Sequence, residues 1–181
     1  MLVTLVALAA TGLAVAHERQ STKTEAVAAT FTAAPTERTK TRQCTGADGT
    51  YSVTRGVYEG TATGDPRLTG KITIRTKTVV NLTNGYGWTQ GHVALRDVDG
   101  RLKAKAHLIA VHSQRGVLNG FLNGRVKGAG HLLANFSAAF NATGTSLTGE
   151  LGSGAAQNTA IVTSGGCPKD DDEKGERKKD D

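Results

Sequence analysis

Aromatic residues, prolines and cysteines are scarce in this chain of 181 residues. Aromatic residues make up 4% of it, and there are 3 prolines and 2 cysteines. So few prolines exclude a collagen-like or proline-rich protein. Two cysteines without His or Cys neighbours at ligand spacing make a poor zinc site. The 38% hydrophobic content still suffices for one domain with a light core of Ala, Val, Leu and Ile.

Long apolar stretches are absent after the first sixteen residues. Residues 1–16, MLVTLVALAATGLAVA, carry no charge and end in Ala14-Val15-Ala16. An apolar run that ends in this small-x-small pattern is typical of a signal peptide, although no basic residue precedes it here. A membrane anchor is the alternative, but the run is short for a span and contains two threonines and a glycine. We therefore expect a secreted, extracellular protein without a transmembrane anchor.

The two cysteines, Cys44 and Cys167, bracket the part of the chain that has strand-like patterns. In an oxidising compartment we expect them to form a disulfide. Residues 17–43 are rich in Thr, Ala and charge and predict a disordered spacer, while the mixed charges of 168–181 predict a disordered tail. The expected organisation is thus a signal peptide at 1–16, a spacer at 17–43, a folded domain at 44–167 and a tail at 168–181.

Turn signals recur about every ten to fifteen residues between the cysteines, among them Asn84-Gly85 and Asp99-Gly100. Both dipeptides favour type I′ hairpins, which need positive φ at the two central residues. The runs between the turns predict eight strands, at 51–63, 68–81, 86–97, 101–112, 116–127, 130–140, 145–151 and 158–163.

Several of these runs alternate between apolar and polar residues. In the fourth, Leu102, Ala104, Ala106, Leu108 and Ala110 share one face, and in the sixth Leu132, Ala134, Phe136, Ala138 and Phe140 do. This period of two indicates a sheet with one buried face and one solvent-facing face. Eight such strands joined by hairpins predict an all-β fold, a single antiparallel up-and-down β-barrel whose interior is filled by side chains. A two-sheet β-sandwich would give the same pattern and remains the alternative.

The predicted barrel resembles the small exported barrels of the allene oxide cyclase and dirigent type. The shared features are an eight-strand meander, a basic polar exterior and glycine-punctuated hairpins, and the run from Leu147 to Gly152 is similar to the Gly-rich late strand of that group. The Thr-Gly-Gly-Thr-Gly run of the group is absent here. The resemblance therefore implies the fold alone, and no functional residue is carried over.

Recognisable catalytic, metal and nucleotide motifs are lacking, so we predict no metal and no cofactor. Asp97-Val98-Asp99-Gly100 begins like a calcium loop, but Leu108 stands where the bidentate acid belongs. The three glycosylation acceptor patterns begin at Asn81, Asn135 and Asn141 and matter only in a eukaryotic source.

One acid–base combination is conceivable. If Val53 and Val57 point inward, Arg55 and Glu59 do so too, and alternation places His112 near them in the barrel mouth. The alternative is that Tyr58 points inward, which turns Arg55 and Glu59 out to water.

A basic outer face is the other candidate site. The outward residues of the second, third and fourth predicted strands would form one cationic patch, since adjacent strands lie about 4.8 Å apart. These residues are Lys71, Arg75, Lys77, His92, Arg96, Lys103, Lys105 and His107. Residues 17–167 carry a net charge of +8, because the full chain is +6 and the tail is −2.

The leading hypothesis is a non-enzymatic exported barrel that binds an anionic polymer or surface through this patch. Ordinary solubility explains the same charges. Nucleic acid is not expected as a partner, since export separates the protein from it and aromatic stacking residues are few. The rival hypothesis is a cyclase- or isomerase-like enzyme, or a binder of a small apolar ligand, that uses the barrel lumen.

Overall fold

The computed structural model describes residues 25–113, 116–141 and 146–152. These residues form nine β-strands and no helix. None of them therefore belongs to a helix that could cross a membrane. The strands are β1 (Ala29–Pro35), β2 (Lys40–Gly46), β3 (Gly49–Gly64), β4 (Gly70–Asn81), β5 (Gly87–Arg96), β6 (Leu102–His112), β7 (Val117–Val126), β8 (Gly130–Phe140) and β9 (Leu147–Gly152).

Eight of the strands close into an antiparallel barrel. Strands β3 to β9 pair in chain order, and β1 closes the barrel because it pairs with both β9 and the second half of β3. The extra strand, β2, continues past β1 and pairs with the first half of β3. The prediction of an all-β barrel is confirmed, and the β-sandwich alternative is wrong because the sheet is continuous around the barrel.

The two ends of the barrel carry different turns. We call the end with the turns at 65–69, 97–101 and 127–129 the lower end, and the end with the turns at 47–48 and 82–86 the upper end. Leu68, in the first lower turn, is fully buried and plugs that end of the core.

The closing strand lies in the predicted spacer, and the structure corrects that prediction. The segment Ala29–Pro35 forms β1, and β2 begins at Lys40, so most of residues 29–43 are ordered strand. Composition misses β1 because Phe31 is its only large apolar residue. The strand is nevertheless amphipathic, since Ala29, Phe31 and Ala33 are buried while the threonines between them are exposed.

Seven of the eight predicted strands are confirmed, with bounds that agree to within two residues. The eighth, at 158–163, lies outside the described residues, as do the predicted signal peptide, the predicted tail and Cys167. The barrel still reaches eight strands because β1 takes the closing position between β9 and β3.

The barrel interior is packed with apolar side chains, as the alternation predicts. Phe136, Ile72, Ile74, Leu108 and Leu122 are almost completely buried. Phe31 stacks on Phe136 with the ring centroids 5.7 Å apart. The Phe31 ring fits there because Gly149, which lies against it, has no side chain. A Cβ at Gly149 would lie 2.7 Å from Phe31 Cζ. Of the predicted inward residues, Leu102 is partly exposed at the lower end of β6.

The hairpin turns differ from the type I′ prediction. Positive φ occurs only at glycine in the described residues, so Asn84 and Asp99 do not adopt it. In the β5–β6 turn the Gly100 amide donates to the Asp97 carbonyl, and the Asp97 amide donates to the Arg101 carbonyl. This is a type I turn followed by a left-handed glycine, with φ +80° at Gly100.

Candidate anion-binding face

Cationic side chains line the outer face of three neighbouring strands. Residues directly opposite each other in an antiparallel pair share a face, so the register places these side chains in rows across the sheet. One row contains Arg75, His92 and His107, and the row above it contains Arg55 and Lys77. Lys71 on β4 and Lys105 on β6 lie on the same outer face, closer to the lower end of the barrel. The predicted basic face is therefore contiguous in the structure.

Within strands β4 to β8 no acid interrupts this face, and Glu59 of β3, which is paired with Arg38, borders it. Strands β4 to β8, all of which the structure describes in full, contain no Asp or Glu. Acidic residues in the described part of the chain lie instead in the turns, before β1, on β3 or on β9. A surface with cations and no anions over five neighbouring strands produces a positive potential that is not cancelled locally.

A groove of about 590 Å³ crosses the basic face. Its charged lining comes from Arg38, Arg55, Arg75 and Lys77, the imidazoles of His92 and His107 lie beside them, and Ile109 also lines it. Gly91 of β5 lies in the groove lining at a close backbone approach, since an added Cβ would lie 2.0 Å from the Arg75 carbonyl oxygen. A concave site with convergent cations is the arrangement that an anionic group requires.

Two imidazoles meet at the middle of the face. The ring centroids of His92 and His107 are 4.3 Å apart. The pKa of His92 lies below its ordinary value, first because the ring is partly desolvated and then because His107 and Lys105 repel its positive charge. This part of the face therefore gains charge when the pH falls or when an anion binds beside it.

Two of the predicted basic residues are held by nearby carbonyl groups. Lys103 lies at a β-bulge in β6, and its Nζ donates to the carbonyl oxygens of Pro66 and Thr69, the latter at 2.7 Å. Arg96 donates from Nη1 to the Gly100 carbonyl at 2.8 Å. Lys103 thus stabilises the lower turn, and the core of the basic face is the group Lys71, Arg75, Lys77, His92, Lys105 and His107.

The turn that holds Lys103 is itself built on an ion pair. Asp65 accepts from the backbone amide and from Nε and Nη2 of Arg67 at 2.8–2.9 Å. The Arg67 guanidinium lowers the pKa of Asp65 to about 2. Arg67 also donates to Glu25 at 2.7 Å, so its cation is neutralised at the lower end and does not contribute to the basic face.

Sequence reasoning missed three cations beside the face. Arg55 lies opposite Lys77, Arg125 lies opposite Lys105, and Arg38 lines the groove while paired with Glu59. The alternation within 116–127 predicts that Arg125 faces outward, so this residue could have been included in the basic face. The face of Arg55 is ambiguous in the sequence, and Arg38 lies in the predicted spacer.

The proposed acid–base trio does not come together. Tyr58 faces the core and is buried, so Arg55 and Glu59 on the same strand face outward and are exposed. His112 does lie on the inner face, opposite Leu118. Burial lowers the pKa of His112, and hydrogen bonding with the backbone of Gly85 and Ser113 partly offsets that effect. Of the two alternatives that the sequence left open, the structure shows the one in which Tyr58 points inward and Arg55 and Glu59 face water.

A second apolar cluster on the outer face explains why the sequence left both orientations of β3 open. Tyr51, Val53 and Val79 are buried there, with Cys44 and Trp88 packed against them. Val53 is therefore apolar and buried without facing the lumen. Lys77 Nζ lies 6.0 Å from the centroid of the Trp88 ring, which joins this cluster to the basic face.

The glycosylation acceptors have different surroundings. Asn81 is 4% exposed and its Oδ1 accepts from the Thr83 amide, so the folded chain cannot carry a glycan there. Asn135 is half-buried, and Asn141 is exposed beside the β8–β9 turn.

A second groove, of about 530 Å³, lies on the outer face of β1, β3, β8 and β9. Hydroxyl groups and one carboxylate line it, and none of its lining residues is a cation; the polar ones are Thr30, Thr32, Thr61, Thr63, Ser137, Thr148 and Glu150. The barrel therefore has a basic side and a hydroxyl-rich side that carries one carboxylate and no cation in its groove.

Comparison of the chain with known protein families, with curated proteins and with solved structures found no match. The resemblance to barrels of the allene oxide cyclase and dirigent type stays a prediction. In the described residues no cluster of three or more His, Cys, Asp or Glu side chains is arranged to hold a metal ion.

Proposed function

We propose that this protein is an exported barrel that binds an anionic polymer or surface through its basic face. The observation that carries the proposal is the cationic groove on β3 to β6, most of which lies on the five neighbouring strands, β4 to β8, that contain no acid. A charge distribution chosen only for solubility needs no such segregation, since surfaces usually intersperse both signs. Candidate ligands are cell-wall polyanions, acidic polysaccharides and lipid headgroups.

Export is the part of this proposal that rests on the sequence. The apolar run at 1–16 ends in Ala14-Val15-Ala16, and the two cysteines suit an oxidising compartment.

The disulfide between Cys44 and Cys167 is compatible with the geometry of the barrel. β9 ends at Gly152, which lies beside Ala28 at the lower end, whereas Cys44 pairs with Tyr51 at the upper end. That separation corresponds to the length of β3 from Tyr51 to Gly64, roughly 43 Å at about 3.3 Å per residue. The chain from Gly152 to Cys167 reaches about 50 Å when extended, so the bond can form.

The rival hypothesis of a lumen site receives no support from the described residues. Phe136, Leu108 and Leu122 fill the barrel interior, and of the suggested trio only His112 faces inward. Both grooves described above lie on the outside of the barrel.

The test is elution from an immobilised sulfated polysaccharide across a salt series. The variant Arg75→Ser/Lys77→Ser removes two cations from the groove, and Arg101→Ser/Lys127→Ser removes two from lower-end turns as a matched control. At about 1 kcal/mol for each cation near an anionic surface, we expect roughly thirtyfold weaker binding for the groove variant at low salt. The control should elute close to wild type.

Two outcomes would refute the proposal. One is equal elution of the groove variant and the control, since binding would then follow net charge alone. The other is retention that does not weaken as salt rises, because charge-driven binding is screened. The melting temperature of each variant, measured in parallel, shows that it is folded.

A further inference from the structure

Three exposed apolar side chains lie together on the outer face next to the basic groove. Ile109, Phe121 and Leu133 are 71%, 48% and 64% exposed, and they belong to the adjacent strands β6, β7 and β8. Ile109 is directly opposite Phe121, and Phe121 is opposite Asn135, two residues from Leu133. Direct and diagonal cross-strand neighbours are about 5 and 7–8 Å apart, so the three form one patch, the apolar trio.

The apolar trio and the cations form a single surface. Ile109 is itself part of the groove lining, and it lies opposite Gln90, next to the row of His92 and His107. Towards the lower end, Arg125 lies on the same outward face of β7 as Phe121, beyond Asn123. Lys105 is the cross-strand partner of Arg125. Exposed apolar side chains elsewhere in the described residues, such as Leu82 and Val98, lie singly in turns at the barrel ends.

We propose that this surface docks onto an anionic lipid bilayer, with the groove facing the headgroups and the apolar trio inserted at the acyl boundary. The proposal rests on the anion-binding function above and assigns its ligand. A bilayer offers both parts that the surface requires, a continuous layer of negative charge and apolar matter about 5–10 Å below it. A soluble polyanion offers only the first, and would leave the apolar trio in water.

The same charge pattern argues against an ordinary protein partner. Protein interfaces are typically depleted of charge at their core and carry mixed polar groups at the rim. Here the charged residues nearest the apolar trio are all basic, from Lys77 through His107 to Lys105 and Arg125, its direct neighbours Gln90 and Asn135 are neutral, and strands β4 to β8 contain no acid. A partner would need matching negative charge around an apolar centre, which is what an anionic membrane surface presents everywhere.

The experiment is co-sedimentation of the full chain with vesicles of phosphatidylcholine alone and with vesicles that also contain phosphatidylglycerol. The test variant is Ile109→Ser/Phe121→Ser, and the matched control is Leu82→Ser/Val98→Ser. Wild type and control should bind the anionic vesicles and not the neutral ones. The test variant should bind them at least tenfold more weakly, because a factor of ten corresponds to inserting only about 55 Å² of apolar surface at about 25 cal/mol per Å², less than the exposed side chains of Ile109 and Phe121 offer. Its elution from the sulfated polysaccharide should not change.

Each outcome bears on a different claim. Wild-type binding to the polysaccharide but not to anionic vesicles would overturn the lipid proposal and leave the anion-binding function intact, whereas absence of both would refute that function as well. Equal vesicle binding by the test variant and wild type would also overturn the lipid proposal. A wild-type dimer that the test variant loses would instead assign the apolar trio to a second copy of the chain. If the double variant does not fold, Leu133→Ser replaces it as the test variant, and it too should weaken binding to the anionic vesicles.

Discussion

Phe31→Ala should destabilise the protein far more than its position in a Thr- and Ala-rich segment indicates. Phe31 is 3% exposed, it stacks on Phe136, and its ring occupies the space opposite Gly149. Its strand, β1, is the only described element that joins β9 to β3. The substitution removes a buried ring at the closing strand, and Gly149 offers no side chain to fill the cavity.

The expected loss follows from measured substitutions of this type. Burial of an aromatic ring in a close-packed core contributes about 3–5 kcal/mol relative to Ala. For a domain of this size the melting temperature should fall by roughly 10–25 °C. Thr30→Ala is the control, because Thr30 lies on the same strand, is exposed and should change stability by no more than about 0.5 kcal/mol.

Thermal unfolding followed by far-UV circular dichroism measures both variants. If Phe31→Ala and Thr30→Ala melt within a few degrees of each other, β1 does not close the barrel. The segment would then be the disordered spacer that its composition predicts.

The remaining predictions concern the disulfide, the pH dependence and one glycine. Cys167→Ser should lower the melting temperature by several degrees or more, since closing so long a loop stabilises by up to about 4–5 kcal/mol; equal melting with and without reductant would refute the bond. Because the pKa of His92 is lowered from 6.5, the ring is neutral at neutral pH, so polyanion elution should need more salt at about pH 5 than at about pH 7.5. His92→Gln should reduce that difference, and an unchanged difference would exclude this imidazole. Gly149→Val should destabilise as Phe31→Ala does, because the added Cβ meets the Phe31 ring; wild-type melting of this variant would contradict the packing.

Most of the barrel could be predicted because alternation is a local signal. In β6 and β8 every second residue is apolar, and the turn glycines mark both ends, so bounds and faces follow from a few consecutive residues. The basic face follows in turn, since neighbouring hairpin strands must lie side by side. Lys103 departs from it, because it is the extra residue of a β-bulge opposite the step from Leu95 to Arg96, which alternation does not predict.

The closing strand and the faces of β3 could not be predicted in the same way. The partners of β1 are more than a hundred residues away on β9 and about thirty away on β3, and no local pattern encodes such pairings. In β3 the apolar residues change face along the strand, with Tyr51 and Val53 outside and Tyr58 and Ala62 inside. Because burial on the outer face gives the same apolar pattern as burial in the lumen, the sequence left the side of Arg55 and Glu59 open.

The most direct test of the anion-binding account is the location of ligand contacts on the barrel. In a titration of isotopically labelled protein with a short sulfated oligosaccharide, backbone amide resonances report which strands the ligand touches. The account predicts the largest shifts at the groove residues Arg75, Lys77, His92 and His107, and no change at Thr30 and Thr63 on the hydroxyl side. Shifts centred on the hydroxyl side, or spread evenly over both faces, would contradict it.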